Sequence, residues 1–520
     1  MSSPDTPRLS APTVKGTYGV LLGVGSAVLA VGLALPFILA DKPAPAPTSA
    51  LSSDGGTGST GGDLSTGTTG TTGAVPTSGP SSAAGTTGGS GAGTTTAGTT
   101  TGAGTGGGSG VLGTTGQAPP PVNQRKASDI GITPTTIKLG VLIPSDNSSK
   151  AGGGSFSSVI GSPKQQWQAY VDEVNSKGGV LGRKLEPVFK EYDGLDLDAQ
   201  RAACVYLTEQ AKVFAIVNSG GFYGDPILCV TQQHKTPFIG QAAEALDFYQ
   251  KSNGLYFSTT PNKDRTLRNL VVAAKADGAF KGKTVGILSR EGIDAIPVDR
   301  SLKPELAAQG IKVTYEARIS SDDSAAQSQI PIEVQQMREH GVNLIMLETG
   351  LIVANVFAQQ ADSQRYYPQY MTSDFASGGA DVYTIGMPAS FAGSVTYTSL
   401  RTGEARAGMA EPATDAACRK IFEKRTGHKL DRTSTEYSLT ITACGILTEF
   451  DQGMTTAGVN PTRRLLSQGL QAIGQWNVPF SGAGSWSTNK FDAPDVVRRA
   501  AWESGCKCWV PKGPFVRTRY

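Results

Sequence analysis

From residue 137 to 143 the chain reads Ile-Lys-Leu-Gly-Val-Leu-Ile, a short run of branched apolar residues that predicts a strand buried on both faces, as in a parallel sheet. Pro144 ends it, and the polar, glycine-rich stretch 145–154 follows as a loop beyond the strand's carboxyl end. Trp167, Tyr170, Val171 and Val174 then recur at helical spacing over 165–177, with Gly178-Gly179 as the stop signal. A second strand over 184–189 completes a βαβ unit.

The alternation continues. Helices are predicted over 199–210 and 226–233, and strands over 213–217 and 237–239. After Tyr256-Phe257 the pattern restarts with helices over 264–276, 298–309, 330–340 and 353–361, interleaved with strands over 284–288, 313–317, 344–347 and 369–371. The apolar run 395–400 reads as a return crossing. Helices over 414–426, 435–451 and 462–473 and short strands within 476–509 are expected to complete the hinge and the first lobe. The fold class is therefore α/β: two doubly wound, three-layer lobes joined by a multi-strand hinge. The expected boundaries are 128–258 for the first part of lobe 1, 259–390 for lobe 2, and 391–520 for the return and the completion of lobe 1.

The N-terminal pattern is different. Residues 1–16 are polar with Arg8 and Lys15 as a basic flank, and 17–40 are apolar and uncharged, long enough to span a bilayer of about 30 Å as a helix. The basic flank places residues 1–16 in the cytoplasm. A signal peptide is the rival reading, with Ile38-Leu39-Ala40 as a poor cleavage site, but the apolar run exceeds the usual hydrophobic core of such peptides. An uncleaved anchor is expected, with the protein at the extracytoplasmic face of the cell membrane, or secreted if the segment is cut. Residues 41–127 read as a disordered tether open to glycosylation, because from 42 to 118 the chain is Pro-Ala and then Gly, Thr and Ser almost without interruption and has too little apolar surface to order. Its span would be of order 50 Å by the square-root rule for glycine-rich chains. No cysteine directly follows the apolar segment, the first being Cys204, so a lipid anchor is not expected.

The net charge of +3, from 46 basic and 43 acidic residues without a basic stripe, argues against nucleic acid as a partner. Six cysteines beyond an export segment predict disulfides, with 15 connectivities open in principle. Cys204 with Cys229 and Cys418 with Cys444 are expected because each pair sits on consecutive predicted helices; Cys506 with Cys508 remains. No pair has metal-knuckle spacing, and no metal or other cofactor is expected. Residues 278–284, Gly-Ala-Phe-Lys-Gly-Lys-Thr, are one residue short of a phosphate loop and lead into a strand instead of a helix. No Gly-x-Ser-x-Gly elbow occurs in the folded part. His234, His340 and His428 read as solvated or capping residues, so an enzyme is the minority reading.

Residues 175–183, Asn-Ser-Lys-Gly-Gly-Val-Leu-Gly-Arg, together with Asp193 after the second strand, resemble the opening of type I periplasmic binding proteins, the branched-chain amino acid receptors of ATP-driven importers, in an actinobacterial form. The resemblance extends with decreasing sharpness from about Thr136 to the C-terminus. It implies a solute-binding receptor of an ABC importer that closes two lobes on a small polar solute (an amino acid, an amide or a related compound) and docks on permease subunits. The alternative is a membrane-tethered sensor or adhesion module on the same fold. In the family, first-lobe hydroxyls and amides grip the solute's carboxylate, and a second-lobe acid meets its ammonium. The corresponding positions are Ser219, Gly220, Gly221 and Phe222, then Gln241, Ala242 and Ala243, and Asp374 in lobe 2; Glu244 stands near where a threonine is usual. Ser145 and Phe156 come from the loop after the first strand. Glu291 and Glu348, also at strand ends, could replace Asp374, and Phe156, Phe222 and Tyr223 could stack on a ring.

Overall fold

The computed structural model describes residues 111–112, 119–145, 159–194 and 196–520. The apolar segment 17–40 and most of the tether lie outside the described residues, and among those described no helix is long and apolar enough to cross a membrane.

The first lobe grows from β1 (Thr136–Pro144), buried along most of its length. After it come α1 (Pro163–Ser176), β2 (Lys184–Tyr192), α2 (Leu197–Val205), β3 (Ala215–Asn218), α3 (Asp225–Leu228), β4 (Phe238–Gly240), α4 (Leu246–Lys251) and β5 (Tyr256–Ser258). The strands form one parallel sheet in the order β2-β1-β3-β4-β5. Successive side chains of β1 serve opposite faces. Ile137, Leu139, Val141 and Ile143 join Trp167 and Tyr170 of α1, while Leu142 joins Leu207 and Ile216 on the other side. At Gly140 an added Cβ would stand 3.0 Å from Ile216 and 3.2 Å from Leu207, so the helix layer can lie tight on the sheet only without a side chain there.

The stretch 175–183 acts as structural mortar. Asn175 clamps the start of β2 through Leu185 (Nδ2 to O, 2.9 Å; N to Oδ1, 2.7 Å), and fully buried Arg183 donates to the carbonyl of Thr133 at 2.8 Å. Gly179 holds φ +78°, and a Cβ there would strike the Arg183 carbonyl, so the turn into β2 requires glycine.

The second lobe contains α5 (Lys263–Ala276), β6 (Val285–Arg290), α6 (Lys303–Ala308), β7 (Val313–Ile319), α7 (Asp323–Glu339), β8 (Leu344–Glu348), α8 (Leu351–Ser363), β9 (Gln369–Ser373) and β10 (Val395–Thr398). The chain then returns through α9 (Ala413–Thr426), α10 (Thr435–Ala457), α11 (Arg463–Gln471) and the hairpin β11 (Gly474–Asn477) and β12 (Ala483–Trp486), all against the first lobe's core. It crosses back into β13 (Val496–Glu503), β14 (Cys508–Pro511) and β15 (Val516–Arg517).

The last crossing corrects the sequence reading, which assigned 391–520 to the hinge and lobe 1. The second sheet runs β14-β13-β10-β9-β8-β6-β7, with β15 on β13. β10 and β13 to β15 thus belong to lobe 2. Ala500, Trp502 and Trp509 are buried there beside Phe391 and Tyr370, which is the driving force for β13 to pair antiparallel with β10. The tether boundary also differs: Val111 and Leu112, expected within the linker, are buried in the first lobe's core, and Lys177 Nζ donates to the carbonyl of Leu112 at 2.8 Å. Arg125, Lys126 and Ser128 are pinned to Gly182, Asn460 and Pro461.

Three strand-like crossings connect the lobes. Ser258 and Ala493 exchange backbone bonds with their neighbours on the first and third crossings (Ser258 N to Phe491 O, 2.9 Å; Ala493 N to Ser258 O, 3.0 Å), and Leu400 on the second bridges to Ser481. Buried Arg265 fastens the first to the third, donating to Asp492 and Asp495 at 2.9 Å each. Arg498 fastens the second to lobe 2 through Glu404 at 2.7 Å.

The cysteines pair as expected. Cys204–Cys229 and Cys418–Cys444 tie successive helical segments together, with Cα atoms 6.3 and 5.9 Å apart, and Cys506 pairs with Cys508 in the turn between β13 and β14.

Candidate functional site

In an open parallel sheet the loops beyond the strands' carboxyl ends diverge and leave a crevice. In the first lobe this rim comprises Ser145 after β1, 219–224 after β3 and 241–245 after β4. Ser145 is half-buried, its amide donating to the carbonyl of Tyr192 at 2.7 Å. Phe156 lies outside the described residues. Ser219 is buried, and Gly220 and Gly221 take φ of +152° and +79°. The Gly220 amide donates to Asn218 Oδ1 at 3.0 Å, and a Cβ on Gly220 would lie 3.4 Å from Gln241 Oε1, so the two rim loops touch. Ala242 and Ala243 are half-buried. The Ala242 carbonyl accepts from Ser258 Oγ at 2.8 Å and is therefore committed to the hinge.

Phe222 departs from the expectation. It is fully buried, edge-on to Tyr192 and tilted against Phe238, with ring centroids 5.4 and 5.6 Å away. The ring turns down into the core, where Tyr192 and Phe238 receive it, and it is unavailable to stack on a solute. Tyr223, the next residue, is the exposed aromatic of this rim.

Glu244 is buried, and desolvation raises its pKa against the pull of Lys263. Its Oε1 accepts from the Gly224 amide at 2.6 Å, and Lys263 Nζ stands between Glu244 at 3.4 Å and Asp294 of lobe 2 at 2.8 Å. One buried cation thus links the rims of the two lobes, and a Cβ on Gly224 would sit 3.7 Å from Ile293 on the opposite side.

On lobe 2, the Asp374 carboxylate is enclosed, accepting from Thr398 Oγ1 at 2.5 Å and from Ser399 N and Oγ at 2.6 and 2.7 Å. Burial raises its pKa, and these three donors hold it back. It stands just beyond the carboxyl end of β9, where the sequence suggested, but its oxygens brace the start of the second crossing. Glu291 is exposed, its amide on the carbonyl of Ile319 at 2.8 Å, at the β6–β7 edge.

Glu348 ends β8 with no exposed surface. Oε2 accepts from Ser373 Oγ at 2.9 Å, Oε1 has no partner, and the hydroxyl of Ser289, its register neighbour on β6, has none either. Burial pushes its carboxyl up to about 8, aided by the nearby Asp374 charge. Burial therefore favours its neutral form.

Sequence reasoning missed a charged hollow beside the second crossing. Asp381, Arg401, Glu404, Arg406, Asp415 and Arg432 line it. Arg406 donates to Asp381 and to the carbonyl of Thr433 at the foot of α10, so it too joins the lobes. Burial lifts Asp415 to about 6. The alternation of basic and acidic residues at Arg401, Glu404 and Arg406, directly after a strand, was the available signal.

The histidines stand apart from both places. His234 lies 3.5 Å from Glu209, His428 3.0 Å from Glu436, and His340 against the carbonyl of Gln336. Cys204, Cys229 and His234 come together, but the sulfurs are joined as a disulfide and offer no thiolate to a metal.

A family model described as periplasmic binding protein matches residues 136–503. Solved structures of similar fold include a fatty acid ABC transporter substrate-binding protein from Thermomonospora curvata (18% identity, TM-score 0.57, 76% of this chain and 95% of that one). Others are a solute-binding protein from Rhodopseudomonas palustris BisB5 in complex with 3,4-dihydroxybenzoic acid (15%, 0.56, 74% and 98%) and an ABC transporter substrate-binding protein from Desulfitobacterium hafniense in complex with Leu (15%, 0.54, 72% and 100%). At these identities the likeness is one of fold. A comparison with curated protein sequences found none similar to this chain.

Proposed function

Because the chain belongs to the periplasmic binding protein family, we propose that it is the extracytoplasmic solute-binding receptor of an ABC importer, taking up a small polar solute between its lobes without turning it over. The observation that carries this reading is the facing of two parallel-sheet rims across three hinge crossings, fastened by Arg265. Solute would dock on the first-lobe rim of Ser145, Ser219 to Gly221 and Gln241 to Ala243, and lobe 2 would complete the site, so that differential contact favours the closed form. The closed form then presents both lobes to a permease. Residues 17–40 and the tether would keep the receptor at the membrane.

The solved structures of similar fold were obtained with leucine and with a dihydroxybenzoic acid, which share a carboxylate. With Asp374 enclosed by Thr398 and Ser399, we favour solutes recognised through a carboxylate over those that need a free acid for an ammonium group. Thermal-shift screening against amino acids, amides, short acids and aromatic acids tests this. A solute at 100 times its Kd should add about 2.7 kcal/mol of stability. If no such solute raises the melting temperature at millimolar concentration, the receptor reading fails.

A further inference from the structure

The third cystine differs from the other two in the properties that govern thiol–disulfide exchange. Cys204–Cys229 and Cys418–Cys444 close separations of 25 and 26 residues, and all four residues are buried at 3% exposure or less. Cys506 and Cys508 are separated by Lys507 alone. Cys506 is exposed, as are Ser504, Gly505 and Lys507 around it, whereas Cys508 is buried at 2%. Lys507 holds φ +50°, the left-handed region that a residue with a Cβ disfavours. A ring closed over one residue restrains the unfolded chain little, so this cystine adds little chain-entropy stabilisation. Exchange therefore costs far less here than at either helix-to-helix bridge.

The rest of the hairpin is anchored independently of the cystine. Cys508 pairs with Glu503 and Trp509 with Trp502, Trp509 is fully buried, its amide donates to Asp381 Oδ1 at 3.0 Å, and the Lys507 carbonyl accepts from Thr384 Oγ1 at 3.2 Å. Opening the bond leaves β14 seated and one thiol at the surface.

We propose that Cys506–Cys508 is a reversible thiol–disulfide exchange site for small thiols and dithiols, entered at Cys506. The incoming thiolate attacks Cys506 Sγ, the Cys506–Cys508 bond breaks, and Cys508 Sγ leaves as a thiolate that takes a proton from solvent. A second thiol equivalent then displaces the mixed disulfide. The sum is one protein disulfide and two thiols giving two protein thiols and one small-molecule disulfide. A low-molecular-weight thiol supplies both electrons, and reoxidation by a small disulfide reverses every step.

The full-length native protein, titrated with dithiothreitol, alkylated and mapped by mass spectrometry, tests the proposal. Cys506 and Cys508 should become labelled at a reductant concentration at least tenfold below that needed for the other four cysteines. In a parallel incubation with oxidised and reduced glutathione, the adduct should sit on Cys506. Opening of all three cystines over one concentration range, or an adduct confined to Cys508, would overturn it.

Discussion

Replacing Glu348 with Gln isolates the energetic consequence of a buried, half-satisfied acid. In the folded chain its carboxyl titrates at about 8, against an ordinary value of 4.5. At about 1.4 kcal/mol per pH unit, the full displacement amounts to roughly 4–5 kcal/mol. The sign follows from proton binding. The folded state holds the proton more tightly, so the stabilisation is complete below about pH 4.5 and is lost as pH rises towards 8. Linkage places about 2.5 kcal/mol of that loss between pH 5 and pH 7. Asp415 titrates at about 6 as well, but it is common to both proteins and cancels in the difference. Urea unfolding of wild type and Glu348→Gln at pH 5, 6, 7 and 8 should show the variant gaining on wild type by 2–3 kcal/mol from pH 5 to pH 7. Parallel profiles would mean that Glu348 is solvated or ion-paired, and the account of the β8 terminus would be wrong.

Arg265→Ala leaves Asp492 and Asp495 at the crossings without their guanidinium, and should destabilise the protein by about 3–5 kcal/mol in urea unfolding, as removal of one partner of a buried pair does. Replacing Cys418 and Cys444 together with Ala opens a 26-residue loop between α9 and α10, for which chain entropy gives a loss of about 3–4 kcal/mol at 25 °C by the same measurement. Leu112→Ser, in a segment whose composition otherwise denies it a core, should lower stability by about 2 kcal/mol because a fully buried leucine is exchanged for a hydroxyl; no change in the melting curve would detach the tether from lobe 1.

The parts of the fold that the sequence made legible are those held by local signals. β1 declares itself by a short run rich in branched apolar residues, α1 by its apolar stripe and the Gly178-Gly179 stop, and Cys418–Cys444 by lying on consecutive helices. What escaped depends on contacts between distant segments. Nothing local in 496–503 states that it will pair with 395–398 instead of returning to the first sheet. Val111 and Leu112 are two apolar residues in a tract of Gly and Thr, and only the first lobe's core explains their burial. Site residues follow the same division. The strand-end positions of Ser219, Gln241 and Asp374 came from the alternation of elements, but side-chain direction did not. Phe222 turns inward because Tyr192 and Phe238 wait beneath it, and Asp374 is enclosed by residues 24 and 25 positions further along the chain.

The central claim is that solute binding and lobe closure are one event. Leu197 on lobe 1 and Ile352 on lobe 2 stand near the crevice-side starts of α2 and α8, with 50% and 39% exposure, and replacing both with Cys provides labelling sites while the native cysteines remain paired. Spin-label distances on the full-length protein, taken with and without a carboxylate that raises its melting temperature, should shift to a shorter, narrower population when solute is present. A distance distribution unchanged at saturating solute would contradict the account.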